Sequence, residues 1–130
     1  MKIGSVTLIG TGNLAWHLGK ALTDAGIAIV HVAGRTDTKT QELAEALHCK
    51  SYSGITNDLP EADLYLICVK DDAIKEVAQT IYSPGKLMVH TSGTTSAEVL
   101  KSEDNNYGVL WPMQTLVMGN AVNYTNMLIS

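Results

Sequence analysis

Six residues near the amino terminus, Gly10-Thr11-Gly12-Asn13-Leu14-Ala15, have the types and spacing to hold a phosphate. In a G-x-G-x-x-A arrangement the first glycine permits a tight turn. The second lets a pyrophosphate approach the backbone, and the small Ala15 lets a helix pack closely on a strand. Free N–H groups at the start of that helix, together with its dipole, attract the negative charge. As a bare pattern this also describes any tight strand-to-helix turn, so the flanking elements decide between the readings. Further along, the chain reads Ala33-Gly34-Arg35-Thr36. The acid that would hold both ribose hydroxyls of NAD is missing there. Arg35 offers a planar, permanently charged fork to a 2′-phosphate, Thr36 adds a hydroxyl, and Lys39 lies one turn on. The combination favours NADP(H) over NAD; the alternative is a solvated arginine in a surface loop.

A second set of polar residues follows two later apolar runs. Val69-Lys70-Asp71-Asp72 places a cation and two helix-capping acids at one strand end, and His90-Thr91-Ser92-Gly93-Thr94-Thr95 is a small polar loop suited to a ribose or a carboxamide. His90 and Lys70 are the candidates for a catalytic role. His90 has the chemistry to shuttle a proton beside a hydride transfer, but a strand-end histidine also serves by hydrogen bonding to backbone. Ser92 lacks the G-x-S-x-G surroundings of a hydrolase nucleophile. Cys68, inside an apolar run, reads as core, and Trp16 reads as packing beside the glycine turn, with His17 facing solvent. In Trp111-Pro112-Met113-Gln114-Thr115, Gln114 and Thr115 either line the pocket or form a rigid turn.

These residues need strands and helices in alternation to bring them together. Residues 5–9 form a short β-branched run stopped by Gly10, and Leu14, Ala15, Leu18, Ala21, Leu22 and Ala25 then repeat at helical spacing up to Gly26, a left-handed cap. A second run covers 27–33, and Thr38 with Gln41 predicts a capping box for a helix through Leu43 and Leu47. Strands are expected at 49–53 and, centrally, at 64–69. Asp71 or Asp72 is expected to cap a helix carrying Ile74, Val77, Ala78 and Ile81, which Ser83-Pro84-Gly85 stops. A strand at 87–90, a short helix opened by Thr95 and Glu98 and running to about Lys101, and a strand at 107–110 complete the alternation. This order predicts a doubly wound α/β domain of Rossmann type, its mostly parallel sheet covered by helices on both faces. Residues 127–130 look like a strand with no helix to cover it, which predicts a truncated chain, the front portion of a longer protein.

Composition narrows the class. With 45% hydrophobic and 17% charged residues among 130, the chain is expected to form one globular domain. A net charge of −4 with scattered cations argues against nucleic acid as a partner. No apolar run approaches the length of a membrane helix, and two cysteines without metal-ligand spacing point to a reducing, cytoplasmic setting.

The strings VTLIGTGNLA at 6–15, AGRT at 33–36, CVKDDAI at 68–74, HTSGT at 90–94 and PMQT at 112–115 together resemble the NADP-binding domain of the pyrroline-carboxylate reductase and deazaflavin-linked NADP oxidoreductase group. The likeness covers nearly the whole chain, and is greatest to two-domain members in which a helical half for dimerisation and substrate follows. The resemblance implies that Gly10, Thr11, Gly12, Asn13 and Leu14 take the pyrophosphate and that Arg35 and Thr36 take the 2′-phosphate. It implies that Val69, Lys70, His90, Thr91 and Ser92 border the nicotinamide. It also implies a homodimer for the full-length protein and a small-molecule substrate. Gly34 and Trp111 depart from the group, Gly34 standing where relatives often carry a polar side chain to the ribose. The function expected is an NADP-dependent oxidoreductase. A non-catalytic NADP(H)-sensing module is the alternative, and a methyltransferase ranks last because the acid it needs after the second strand is absent.

Overall fold

In the computed structural model, described for residues 4–81, 85–92, 95–101, 106–110 and 116–118, four-residue apolar runs become buried strands and amphipathic runs become the helices between them. The elements are β1 (Val6–Ile9), α1 (Asn13–Asp24), β2 (Ile29–Gly34), α2 (Asp37–Leu47), β3 (Lys50–Ser53), β4 (Leu64–Ile67), α3 (Asp71–Thr80) and β5 (Leu87–His90). A 3₁₀ turn (Ala97–Leu100), β6 (Asn106–Leu110) and β7 (Leu116–Met118) follow. The strands form one sheet in the order β3-β2-β1-β4-β5-β6-β7. All pairs are parallel except β6 with β7, which is antiparallel. This is the expected doubly wound α/β architecture, with the order reversing between β1 and β4.

Alternate side chains of each strand feed two apolar layers. Val6 and Leu8 of β1, Val32 of β2, and Leu64 and Leu66 of β4 pack with Leu18 and Leu22 of α1 and Leu43 and Leu47 of α2. On the other face Ile9, Tyr65, Ile67 and Met88 pack with Ile74, Val77 and Ile81 of the α3 region and with Leu100 and Tyr107. The β1 and β4 side chains are buried throughout, as central strands of a covered parallel sheet require. β4 holds the middle place that its composition suggested.

Helix boundaries correct the sequence reading in three places. Thr36, not Thr38, is the N-cap of α2; Thr38 lies within the helix. Lys70 is the N-cap of α3, so Asp71 and Asp72 occupy its first turn and act on the helix dipole rather than as the cap residue. Ser96, not Thr95, caps the 3₁₀ turn, its hydroxyl accepting from the Glu98 N–H at 3.1 Å. Each error has one cause: several consecutive polar residues offer equivalent caps, and the strand's end decides which of them leaves extended geometry first. Gly26 does carry the left-handed conformation expected after α1, at φ +87°. The β7 strand was not anticipated. Gly93, Thr94, the 111–115 segment with Gln114 and Thr115, and the 127–130 run lie outside the described residues. No helix among the described residues is long and apolar enough to cross a membrane.

Candidate cofactor cleft

The carboxyl ends of β1, β2 and β4 open onto a cleft of about 510 Å³ at the point where strand order reverses. Seven of the twelve residues expected to bind cofactor line it: Gly10, Thr11 and Gly12 after β1, Arg35 and Thr36 after β2, and Val69 and Lys70 after β4. Open α/β sheets bind ligands in this position because neighbouring loops part there. Asn13 and Leu14 open α1 directly after the turn, both exposed and outside the lining; Leu14 is 44% accessible.

The α1 amino terminus is equipped for an anion. Gly12 is its N-cap, supplies no side-chain hydrogen bond, and is followed by no acid in the first turn. By contrast α2 opens on Asp37, and α3 on Asp71 and Asp72, so those dipoles meet negative charge from the chain itself. Among the described helices, the first N–H groups of α1 are therefore the ones best left for a ligand. Gly12 adds a second observation. Its φ of −78° is open to any residue, and a Cβ there would meet nothing within 4 Å. Neither strain nor packing among the described residues calls for glycine at position 12, whereas a phosphate resting on the turn does. The residues present thus fit a dinucleotide pyrophosphate.

Arg35 is exposed on the cleft wall, and no hydrogen bond or ion pair among the described residues engages it. Its neighbour Gly34 has a packing explanation. A Cβ at Gly34 would lie 2.6 Å from Thr40 Oγ1 and 2.8 Å from Thr11 Cγ2, so those two threonines already fill the space a polar side chain would use. Thr40 Oγ1 donates to the Thr36 carbonyl at 2.7 Å, which fixes the entry to α2 behind Arg35.

His90, Thr91 and Ser92 sit at the end of β5 and do not line this cleft. His90 is fully buried. Its Nδ1 accepts from the Ser92 N–H at 3.0 Å, which leaves Nε2 as the protonated nitrogen facing the Ser96 carbonyl oxygen at 3.2 Å. Both nitrogens are thus engaged with backbone. Ser92 Oγ accepts from the Thr95 N–H and bonds to the Thr95 hydroxyl, both at 3.1 Å, so the loop is tied at two points. Burial pushes the Cys68 thiol up to about 12, against a smaller opposing pull from a hydrogen bond to the Thr91 side chain. This sulfur is a core atom at the cleft floor, as expected, and not a thiolate. Trp16 packs on the core and His17 is exposed, also as expected. At the far edge, burial and the Lys50 charge hold His31 below the usual histidine range.

Gly34, which the sequence reading set at the position of a ribose contact, lines the cleft, and sequence reasoning missed Ile55, Cys68, Asp72, Ala73 and Glu76 as cleft residues. For Asp72, Ala73 and Glu76 a signal existed: they share a stripe of α3 at helical spacing, on the turns that follow the strand end. The cleft is consequently not free of acids, although none stands at the end of β2.

Residues 5–93 match the family described as NADP oxidoreductase, coenzyme F420-dependent. Among solved structures, a protein of Bacteroides fragilis provisionally described as an NADP oxidoreductase is 35% identical over 89% of this chain and 49% of its own, with a TM-score of 0.77. A protein of Thermotoga maritima is 23% identical over 79% of this chain and 40% of its own, at 0.61. The arogenate dehydrogenase of Synechocystis is 14% identical over 80% and 40%, also at 0.61. The last two share the fold. The chain spans about half the length of the Bacteroides protein and less of the others. No curated protein shows a significant match. The chain belongs to the coenzyme F420-dependent NADP oxidoreductase family.

Proposed function

We propose that this chain is the cofactor-binding portion of an oxidoreductase that moves a hydride between NADP(H) and a small molecule. Family membership points to NADP(H) as the cofactor. The observation that carries the proposal is the cleft itself: among the described residues, an α1 terminus with no acid in its first turn and no side-chain cap, nothing over Gly12, and an Arg35 on the same wall that no side chain engages. Bound there, the nicotinamide supplies the hydride chemistry and the protein orients it. Gly10, Thr11, Gly12, Asn13 and Leu14 hold the pyrophosphate, Arg35 and Thr36 hold the 2′-phosphate, and Val69 and Lys70 border the ring. Thr91, beside Cys68 at the cleft floor, and Ser92 close the nicotinamide end. His90 acts by holding that loop; Lys70, exposed in the cleft, is the better placed of the two catalytic candidates.

The substrate pocket and the dimer contact belong, in this reading, to a second, helical unit of the whole protein. The two free thiols fit a reducing, cytoplasmic setting. Calorimetric titration with NADPH and NADH tests the cofactor reading. NADPH is expected to bind at least about tenfold tighter, the scale of one charge-assisted contact, and Arg35→Ala is expected to remove most of that preference. Equal binding of the two, or none, overturns it.

A further inference from the structure

Beside the main cleft lies a recess of about 230 Å³, lined by Arg35, Ile55, Glu76, Val77 and Thr80. It shares Arg35, Ile55 and Glu76 with the cleft and extends one turn further along α3. On the NADP(H) reading, with the 2′-phosphate on Arg35, the purine of the same nucleotide comes within reach of the recess, because Arg35 lines both spaces. Its chemistry suits a flat heteroaromatic ring: a guanidinium to lie on a π face, and the apolar Ile55 and Val77 around it.

The polar part of the recess is one-sided. Thr80 Oγ1 donates its hydrogen to the Glu76 carbonyl at 2.9 Å, so toward the recess its oxygen is left with lone pairs. The Glu76 carboxylate is acceptor-only. Apart from Arg35, the described side chains of the recess therefore offer acceptors and no free donor. We propose that Glu76 selects the base of the bound dinucleotide, accepting a hydrogen bond from the 6-amino group of adenine and disfavouring a 6-oxopurine, whose carbonyl oxygen would face the carboxylate. This rests on the NADP(H) reading and adds a residue that sets base specificity.

The test compares two ligands that differ only at that position, NADPH and reduced nicotinamide hypoxanthine dinucleotide phosphate, by fluorescence titration of the full chain. Their ratio cancels the phosphates and the nicotinamide, so a general effect of Glu76 on folding or on field strength does not move it. NADPH is expected to bind about tenfold tighter to the wild type, the effect of one hydrogen bond to a charged group. Glu76→Ala is expected to bring the ratio close to one, and Glu76→Gln, which keeps an acceptor oxygen, to retain part of it. Glu76 is an exposed helical residue whose backbone carbonyl accepts the Thr80 hydroxyl, a bond either variant keeps, so both variants are expected to fold. NADPH binding with no base preference, or a preference that survives Glu76→Ala, overturns the role of Glu76 and leaves the cofactor reading standing. Failure of the wild type to bind NADPH overturns both.

Discussion

At position 10 a Cβ would lie 2.2 Å from the Cys68 carbonyl oxygen, on a backbone with φ of +113°, whereas at position 12 it would stand in open space. The two glycines of one motif therefore serve different ends: Gly10 lets the chain leave β1 against the Cys68 carbonyl, and Gly12 keeps the α1 terminus clear. Gly10→Ala forces strain and a backbone clash at once, and is expected to cost about 3 kcal/mol or more of stability in urea unfolding. Gly12→Ala is expected to leave unfolding within about 0.5 kcal/mol of wild type while weakening NADPH about tenfold or more. If Gly12→Ala binds NADPH as wild type does, the pyrophosphate does not rest on that turn. The motif was legible in the sequence because its demands are local. The assignment of separate duties to its glycines was not, since the obstacle at Gly10 comes from a different strand.

Between elements, the loop after β5 shows how a polar residue at a strand end can be turned inward. His90 fills its two hydrogen-bonding positions with the backbone of Ser92 and Ser96, which ties β5 to the 3₁₀ turn that packs against α3 and β6. His90→Leu keeps an apolar body but removes the ring's bonds with the Ser92 N–H and the Ser96 carbonyl, so a loss of about 2 kcal/mol is expected in chemical denaturation. A larger effect on NADPH affinity than on stability would argue instead for direct contact with cofactor. The strands were readable from their β-branched runs and the helices from their periodicity, and a mostly parallel sheet with right-handed crossovers followed from their alternation, whereas the order of the strands came from the tertiary structure. The caps at Thr36, Lys70 and Ser96 were misread by one or two residues, because cap choice depends on where the preceding strand lets go.

For the molecule as a whole, a ligand that binds only the folded state adds stability by mass action. NADPH at about one hundred times its Kd is expected to add about 2.7 kcal/mol, which for a domain of this size raises Tm by about 10 °C in a thermal melt. NADH at the same concentration, binding about tenfold weaker, is expected to raise it by about half as much or less, and equal shifts would remove the case for Arg35. The sequence by itself determined the fold class, the strand-to-helix turn at Gly10 to Ala15 and the cation at position 35. Each rests on backbone conformation or hydrophobic period within a few neighbouring residues. Only the tertiary structure decided that Glu76 and Ile55 share a recess with Arg35, that Thr11 and Thr40 occupy the space beside Gly34, and that His90 points into backbone. It also set β7 antiparallel at the edge of the sheet. Those facts depend on which surfaces meet when the whole core closes, and packing across the sheet leaves no mark on the local sequence.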